Sequence, residues 1–232
     1  PAIENLIATN TSCSGSTDGE ITINIKDALE PYTVIWAPFG GTDTIAENLP
    51  SGIYSVTLTD ANGCEVSSSG VIDSPDPVEV ITNGTEIICY GETINISGVG
   101  IGGNGGYSYT WSDATMSTEA IQAVNPLITT NYTVFATDIL GCISDTETIT
   151  VGVNPALEVE ITTIPELCFG DSIDLSSMAS QGNGGPYYYN WEVINDTNQV
   201  INVKPSNTVW YFVGASDSCS IDARVTSPSG EF

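Results

Sequence analysis

The chain has no histidine among its 232 residues, and only three lysines and arginines stand against 29 aspartates and glutamates. Without histidine there is no Ser-His-Asp triad, no imidazole general base and no histidine-ligated zinc. Three cationic side chains cannot neutralise a phosphate backbone, which excludes nucleic acid as a partner. No run approaches the roughly 18 apolar residues of a membrane helix, so membrane insertion is not expected. Helical signals are nearly absent. What remains is an acidic chain of formal net charge -26 that is nonetheless 41% hydrophobic, enough for packed cores and too much for a disordered acidic tail. Six cysteines and a Thr/Ser/Asn-rich surface favour an oxidising, extracellular setting. The end, Ser-Gly-Glu231-Phe232, reads as a vector-encoded remainder, and the chain as a piece of something longer.

The cysteines reveal a repeat. Cys13, Cys89 and Cys168 each open a Cys-x-Gly, at separations of 76 and 79 residues. A second cysteine follows each after 51, 53 and 51 residues, at Cys64, Cys142 and Cys219. Between them stands a tryptophan, Trp36, Trp111 or Trp191, 22 or 23 residues after the first cysteine. A fixed period of this kind marks tandem domains of about 77 residues.

Each tryptophan ends an alternating run: Tyr32-Thr33-Val34-Ile35-Trp36, Tyr107-Ser108-Tyr109-Thr110-Trp111 and Tyr187-Tyr188-Tyr189-Asn190-Trp191. The residues two and four before the tryptophan share its parity, which predicts that all three face the core of a half-buried strand. Tyr54, Tyr132 and Tyr211 begin a second alternating run, six residues before Asp60, Asp138 and Asp217. Asp60-Ala61-Asn62-Gly63 is a hairpin-turn sequence, since Asn-Gly tolerates positive φ. Prolines at 75, 77 and 155 mark short, stiff boundaries, and Pro228 falls where another boundary would lie. The expected architecture is all-β: three tandem Ig-like antiparallel sandwiches in an elongated array, spanning 1–76, 77–154 and 155–230. The constant spacing of 51–53 predicts one cystine per domain: Cys13–Cys64, Cys89–Cys142 and Cys168–Cys219.

The order Cys, Tyr-x-x-x-Trp, Tyr-x-Val, Cys resembles the immunoglobulin-like superfold. The second cysteine lies beyond the Asp turn rather than inside the strand, and the first precedes its strand. A cystine is therefore expected at one end of the sandwich, away from the tryptophan. The first repeat carries a closer likeness: Cys13-Ser14-Gly15-Ser16-Thr17-Asp18-Gly19-Glu20-Ile21, then residues 31–36, then Leu49-Pro50-Ser51-Gly52-Ile53-Tyr54 through Asp60-Ala61-Asn62-Gly63-Cys64. Over about residues 13–73 it resembles a SprB-type repeat of giant cell-surface adhesins of gliding Bacteroidota-type bacteria. The second and third resemble the PKD-like or Ig-like repeats that accompany such units, with Gly103-Asn104-Gly105-Gly106 and Gly182-Asn183-Gly184-Gly185 before the tryptophan strand. The resemblance implies secretion and a place on the bacterial cell surface.

The candidate functional residues are few. Tyr188 and Trp210 have outward parity and are candidates for contact with a polysaccharide or protein ligand. Asp60, Asp76 and Asp138 are candidates for calcium at domain ends, although the recurrent Asp60, Asp138 and Asp217 read more simply as turn caps. No cofactor is required and no catalytic residue stands out, so the chain reads as a non-enzymatic adhesin segment, monomeric in isolation. The alternative is a carbohydrate-binding accessory region of a secreted polysaccharide-degrading enzyme.

Overall fold

A computed structural model describes residues 1–113, 118–162, 167–168, 170–207, 209–219 and 223–226; Pro228 and the 231–232 end lie outside them. Every regular element among the described residues is a β-strand. In the first repeat these are β1 (Ala2–Thr9), β2 (Gly19–Lys26), β3 (Thr33–Ala37), β4 (Ile45–Leu49), β5 (Gly52–Thr59) and β6 (Glu65–Ile72). They form two sheets, β1-β2-β4 and β3-β5-β6. Ile21 and Ile23 of β2 and Leu49 of β4 pack from one sheet against Val34, Trp36, Tyr54, Val56 and Leu58 of the other. The two-residue period of a strand places these side chains on one face and leaves Ile35, Ser55 and Thr57 outward.

The third repeat has the same plan. Its strands are β14 (Glu158–Ile161), β15 (Ile173–Ser180), β16 (Tyr188–Trp191), β17 (Val200–Val203), β18 (Phe212–Ser216) and β19 (Ala223–Thr226), in sheets β14-β15-β17 and β16-β18-β19. The middle repeat has β7 (Glu79–Thr82), β8 (Glu86–Ile88), β9 (Ile94–Ile101), β10 (Ser108–Trp111), β11 (Ile121–Val124), β12 (Thr130–Thr137) and β13 (Glu147–Val153). Its sheets run β11-β9-β7 and β10-β12-β13-β8, the extra β8 lying parallel to β13. Strand orders of A-B-E against C-F-G, three times over, are those of the immunoglobulin sandwich, with no D strand among the described residues. By Cα proximity the chain divides into two compact units: Pro1–Thr82 with Ser97–Ala120 and Thr133–Glu147, and Asn83–Ile96 with Ile121–Tyr132 and Thr148–Phe232.

The tryptophans occupy equivalent core positions, and each satisfies its one donor. Trp36 Nε1–H donates to the Asp43 carbonyl at 2.9 Å, Trp111 to that of Glu119 at 3.1 Å, and Trp191 to that of Asn198 at 2.9 Å. Tyr54 makes the tyrosine corner: its hydroxyl donates to the Pro50 carbonyl at 2.9 Å, and burial pushes its pKa up. One core expectation fails in the first repeat. Tyr32 is exposed and does not join the first core, whereas Tyr187, likewise one residue ahead of its strand, packs against the third.

Candidate functional site

The cystines join different repeats. Cys13 is bonded to Cys142 and Cys89 to Cys219, while Cys64 and Cys168 are free and exposed. The expected pairs Cys13–Cys64, Cys89–Cys142 and Cys168–Cys219, one per domain, are corrected accordingly. The reason is visible in the first sandwich. Gly52, at the start of β5, pairs with Ile72, and Thr59, at its end, pairs with Glu65 next to Cys64. Cys13 belongs to the opposite pole, where Gly19 pairs with Leu49 and the Thr11 N–H donates to the Asp73 carbonyl at 3.1 Å. An eight-residue strand separates the poles by roughly 26 Å. A cystine needs Cα atoms within about 7 Å. The Cα atoms of Cys13 and Cys142 are 5.6 Å apart, those of Cys89 and Cys219 5.3 Å.

Each pole is built by local hydrogen bonds. The Cys-x-Gly segment is a tight turn in all three repeats: the carbonyls of Cys13, Cys89 and Cys168 accept from the N–H groups of Ser16, Glu92 and Asp171 at 3.1, 3.0 and 3.0 Å. Gly15, Gly91 and Gly170 take positive φ values of 73°, 77° and 94°, which is why glycine stands there. In the first turn Asp18 Oδ1 accepts from Ser12 N–H at 3.0 Å and Ser16 Oγ at 2.6 Å. Contacts with Ser12 and Ser16 hold its carboxyl at about 2.

The second cysteine sits in a turn shaped by the recurrent aspartate. Asp60 Oδ1 accepts from Asn62 N–H at 2.9 Å and Cys64 N–H at 3.0 Å. Asp138 Oδ1 accepts from Leu140 and Cys142, both at 2.9 Å, and Asp217 Oδ1 from Cys219 at 2.8 Å. In the second and third repeats the other oxygen reaches across to the Gly-Asn-Gly-Gly loop: Asn104 N–H and Asn183 N–H each donate at 2.8 Å to Oδ2 of Asp138 and Asp217. Gly103 is required by that approach, since a Cβ there would stand 2.7 Å from Asp138 Oδ2. Asn104 Nδ2 donates both to Asp138 Oδ2 and, at 2.9 Å, to the Ser12 carbonyl beside Cys13. One asparagine thus fixes its own turn and seats it on the preceding repeat next to the cystine. Burial works against ionisation of Asp138, but the donors from Asn104, Cys142 and Leu140 prevail and hold its carboxyl at about 2.

The aspartates therefore act as turn caps. Among the described residues no group of three or more Asp, Glu or Cys side chains is placed to hold a metal ion, so Asp60, Asp76 and Asp138 are not drawn into one constellation. Tyr188 and Trp210 are both exposed, as their parity predicts. Register keeps them apart: Tyr188 pairs with Ser216, six residues from Trp210, on the order of 20 Å along an extended chain. They do not form a joint aromatic platform, and Phe212 is the exposed ring nearest Trp210 in sequence. Asn104 and the pairing across repeats escaped sequence reasoning. A signal for the pairing was there, because the separations of the true partners, 129 and 130 residues, are as constant as 51–53.

No family model matches the chain, and no curated protein matches it in sequence. Solved structures similar to it include three N-terminal domains of the bacteriophage RB49 highly immunogenic outer capsid protein Hoc, at 14% identity over 97% of this chain and 95% of that one, with a TM-score of 0.48. The titin I-band fragment I67–I69 is 11% identical over 97% and 91%, with a TM-score of 0.46. The D00–D0 domains of intimin are 13% identical over 66% and 97%, with a TM-score of 0.41. The repeated strand order carries the fold assignment, and these distant likenesses add nothing about function.

Proposed function

We propose that this chain is a cohesion segment of a secreted, bacterial cell-surface adhesin, a non-catalytic string of Ig-like repeats that withstands pulling. The observation that carries the reading is the pair of cystines that bridge successive repeats. Cystines of this kind persist in an oxidising, extracellular compartment, in keeping with a surface location.

Their topology has a mechanical consequence. Cys13 with Cys142 makes one node, and Cys89 with Cys219 makes another. Three stretches of chain join the nodes in parallel: 13–89, 89–142 and 142–219. The shortest, 53 residues, limits how far force can separate the nodes. At about 3.5 Å per extended residue that is roughly 190 Å, against roughly 720 Å for the 206 residues between Cys13 and Cys219 once the cystines are reduced. Cystines confined to single repeats would lock each repeat and leave the junctions bare. Cystines between repeats hold neighbours together even after a sandwich has lost its core.

Single-molecule pulling by the chain ends tests this. The oxidised chain should release no more than about 190 Å between the nodes, and reducing agent should raise the release several-fold. Equal release in both states would overturn the cohesion reading.

A further inference from the structure

The two bridges obey one rule: the Cys-x-Gly cysteine of a repeat bonds the Asp-turn cysteine of the next repeat. The same rule leaves one half-site over at each end of the series, namely Cys64, an Asp-turn cysteine, and Cys168, a Cys-x-Gly cysteine. We propose that Cys64 and Cys168 are complementary linkage sites, each built to form a cystine with the opposite kind of turn on another repeat of this type, and that a second copy of this chain can supply that turn. The proposal extends the cohesion reading and rests on it.

Two observations beyond the exposed thiols support it. The first is that each free cysteine stands in a turn closed by the same backbone hydrogen bonds as that of its bonded counterpart. Cys64 and Cys142 share four hydrogen bonds: Cys N–H to Asp Oδ1 at 3.0 and 2.9 Å, Asp N–H to Cys carbonyl at 3.0 and 2.9 Å, the glycine N–H to the Asp carbonyl at 2.9 and 3.1 Å, and a residue two after the Asp to its Oδ1 at 2.9 Å in both. Cys168 lies in the same turn as Cys13 and Cys89, with the same carbonyl-to-N–H closure and a glycine of positive φ two residues on. The second is that the bonded copies show what such a turn takes up, which is a cysteine of the opposite turn. The sites are polar in the sense of direction: like turns do not meet in either bridge, so the link runs head to tail.

Formation of the bond is an oxidation. Two S–H bonds are replaced by one S–S bond, and two protons and two electrons leave. A small-molecule disulfide receives them and departs as two thiols, by attack of one thiolate to give a mixed disulfide and of the second to resolve it. One seating contact differs between the ends. Ala28 stands at the position of Asn104 in the first repeat, as shown by the equivalent bonds Ala61 N–H to Leu29 O and Ile139 N–H to Gly105 O, so the Cys64 turn approaches its partner without the asparagine donor.

Two variants of the full chain test the proposal, Cys64→Ser and Cys168→Ser, each keeping one free thiol and both native cystines. Each is incubated alone and then with the other in a glutathione–glutathione disulfide buffer, and products are read by non-reducing electrophoresis and mass mapping of cystine peptides. Alone, each variant should stay monomeric. Mixed, they should give a heterodimer joined Cys64–Cys168, exceeding either homodimer by about tenfold or more, whereas indiscriminate thiols give only about twofold. The unmodified chain should build a ladder of head-to-tail multimers. Homodimers as abundant as the heterodimer, no cross-link at all, or closure of Cys64 on Cys168 within one chain would each overturn the proposal. Near-UV circular dichroism confirms that both variants are folded. The pulling experiment reads the two native cystines only, so failure of one proposal is distinguishable from failure of the other.

Discussion

The pairing of cysteines across repeats makes a sharp prediction for stability, and Cys64 is where it separates from the alternative. Consider Cys13→Ser/Cys142→Ser, which removes one bridge completely and leaves no stray thiol from it. The bridge closes a loop with a sequence separation of 129, and on the chain-entropy model its loss costs about 5 kcal/mol. For a chain of this size each kcal/mol is worth about 2–4 °C, so the melting temperature of the affected part should fall by about 10–20 °C. Magnitude alone does not identify the partner, because a loop of 51 residues, as between Cys13 and Cys64, would be worth about 4 kcal/mol. The discriminating variant is Cys64→Ser. Cys64 is exposed and free, so its hydroxyl replacement should shift stability by no more than about 0.5 kcal/mol. Were Cys64 the partner of Cys13, the same change would cost nearly as much as the double variant. Differential scanning calorimetry of the unmodified chain, Cys64→Ser and Cys13→Ser/Cys142→Ser decides it. A drop of 10 °C or more for Cys64→Ser, or none for the double variant, would refute the reasoning.

Three further outcomes are expected. Asp138 has a carboxyl held at about 2 against an ordinary 3.8, so the stability its ionised form contributes is present above about pH 4 and is lost as pH falls toward 2; Asp138→Asn should flatten that part of a pH–melting curve, and an unchanged slope would count against the Asn104–Asp138 contact. Tyr54→Phe removes the bond to the Pro50 carbonyl and should cost about 1 kcal/mol in denaturant unfolding of the first repeat, with a neutral result showing that the corner is ornamental there. Gly102→Ala places a Cβ against the Pro77 carbonyl oxygen at a φ of +72° and should destabilise by about 2 kcal/mol or more, measured the same way; a stabilised variant would contradict the backbone described at that junction.

The architecture was legible in the sequence because it is written in local periods. Val34 and Trp36, or Tyr132, Val134 and Ala136, alternate with polar neighbours, and alternation by itself decides which face of a strand is buried. The aspartate turns were legible for a similar reason, since Asp60 bonds N–H groups only two and four residues on. Tyr32 shows the limit of such reading: it shares the parity of Val34 and Trp36 yet lies exposed, while Tyr187 at the same position packs against its core.

The cystines were not legible in this way, and the reason is general for tandem arrays. Any feature recurring at a fixed period offers equally regular partners in its own repeat, in the next and in the one before, and spacing cannot choose among them. Only the direction of the strands can. β5 carries the chain from the pole of Cys13 to the pole of Cys64, so cysteines of one sandwich face away from each other, and each must look to a neighbour. That excludes a cystine within one repeat, and the bridges formed are Cys13–Cys142 and Cys89–Cys219, which leave half-sites at Cys64 and Cys168. A sandwich with its two cysteines at opposite poles gains nothing from them alone. Its sulfur chemistry becomes stabilising only in series, which is the arrangement expected of a segment whose task is to stay joined to the next.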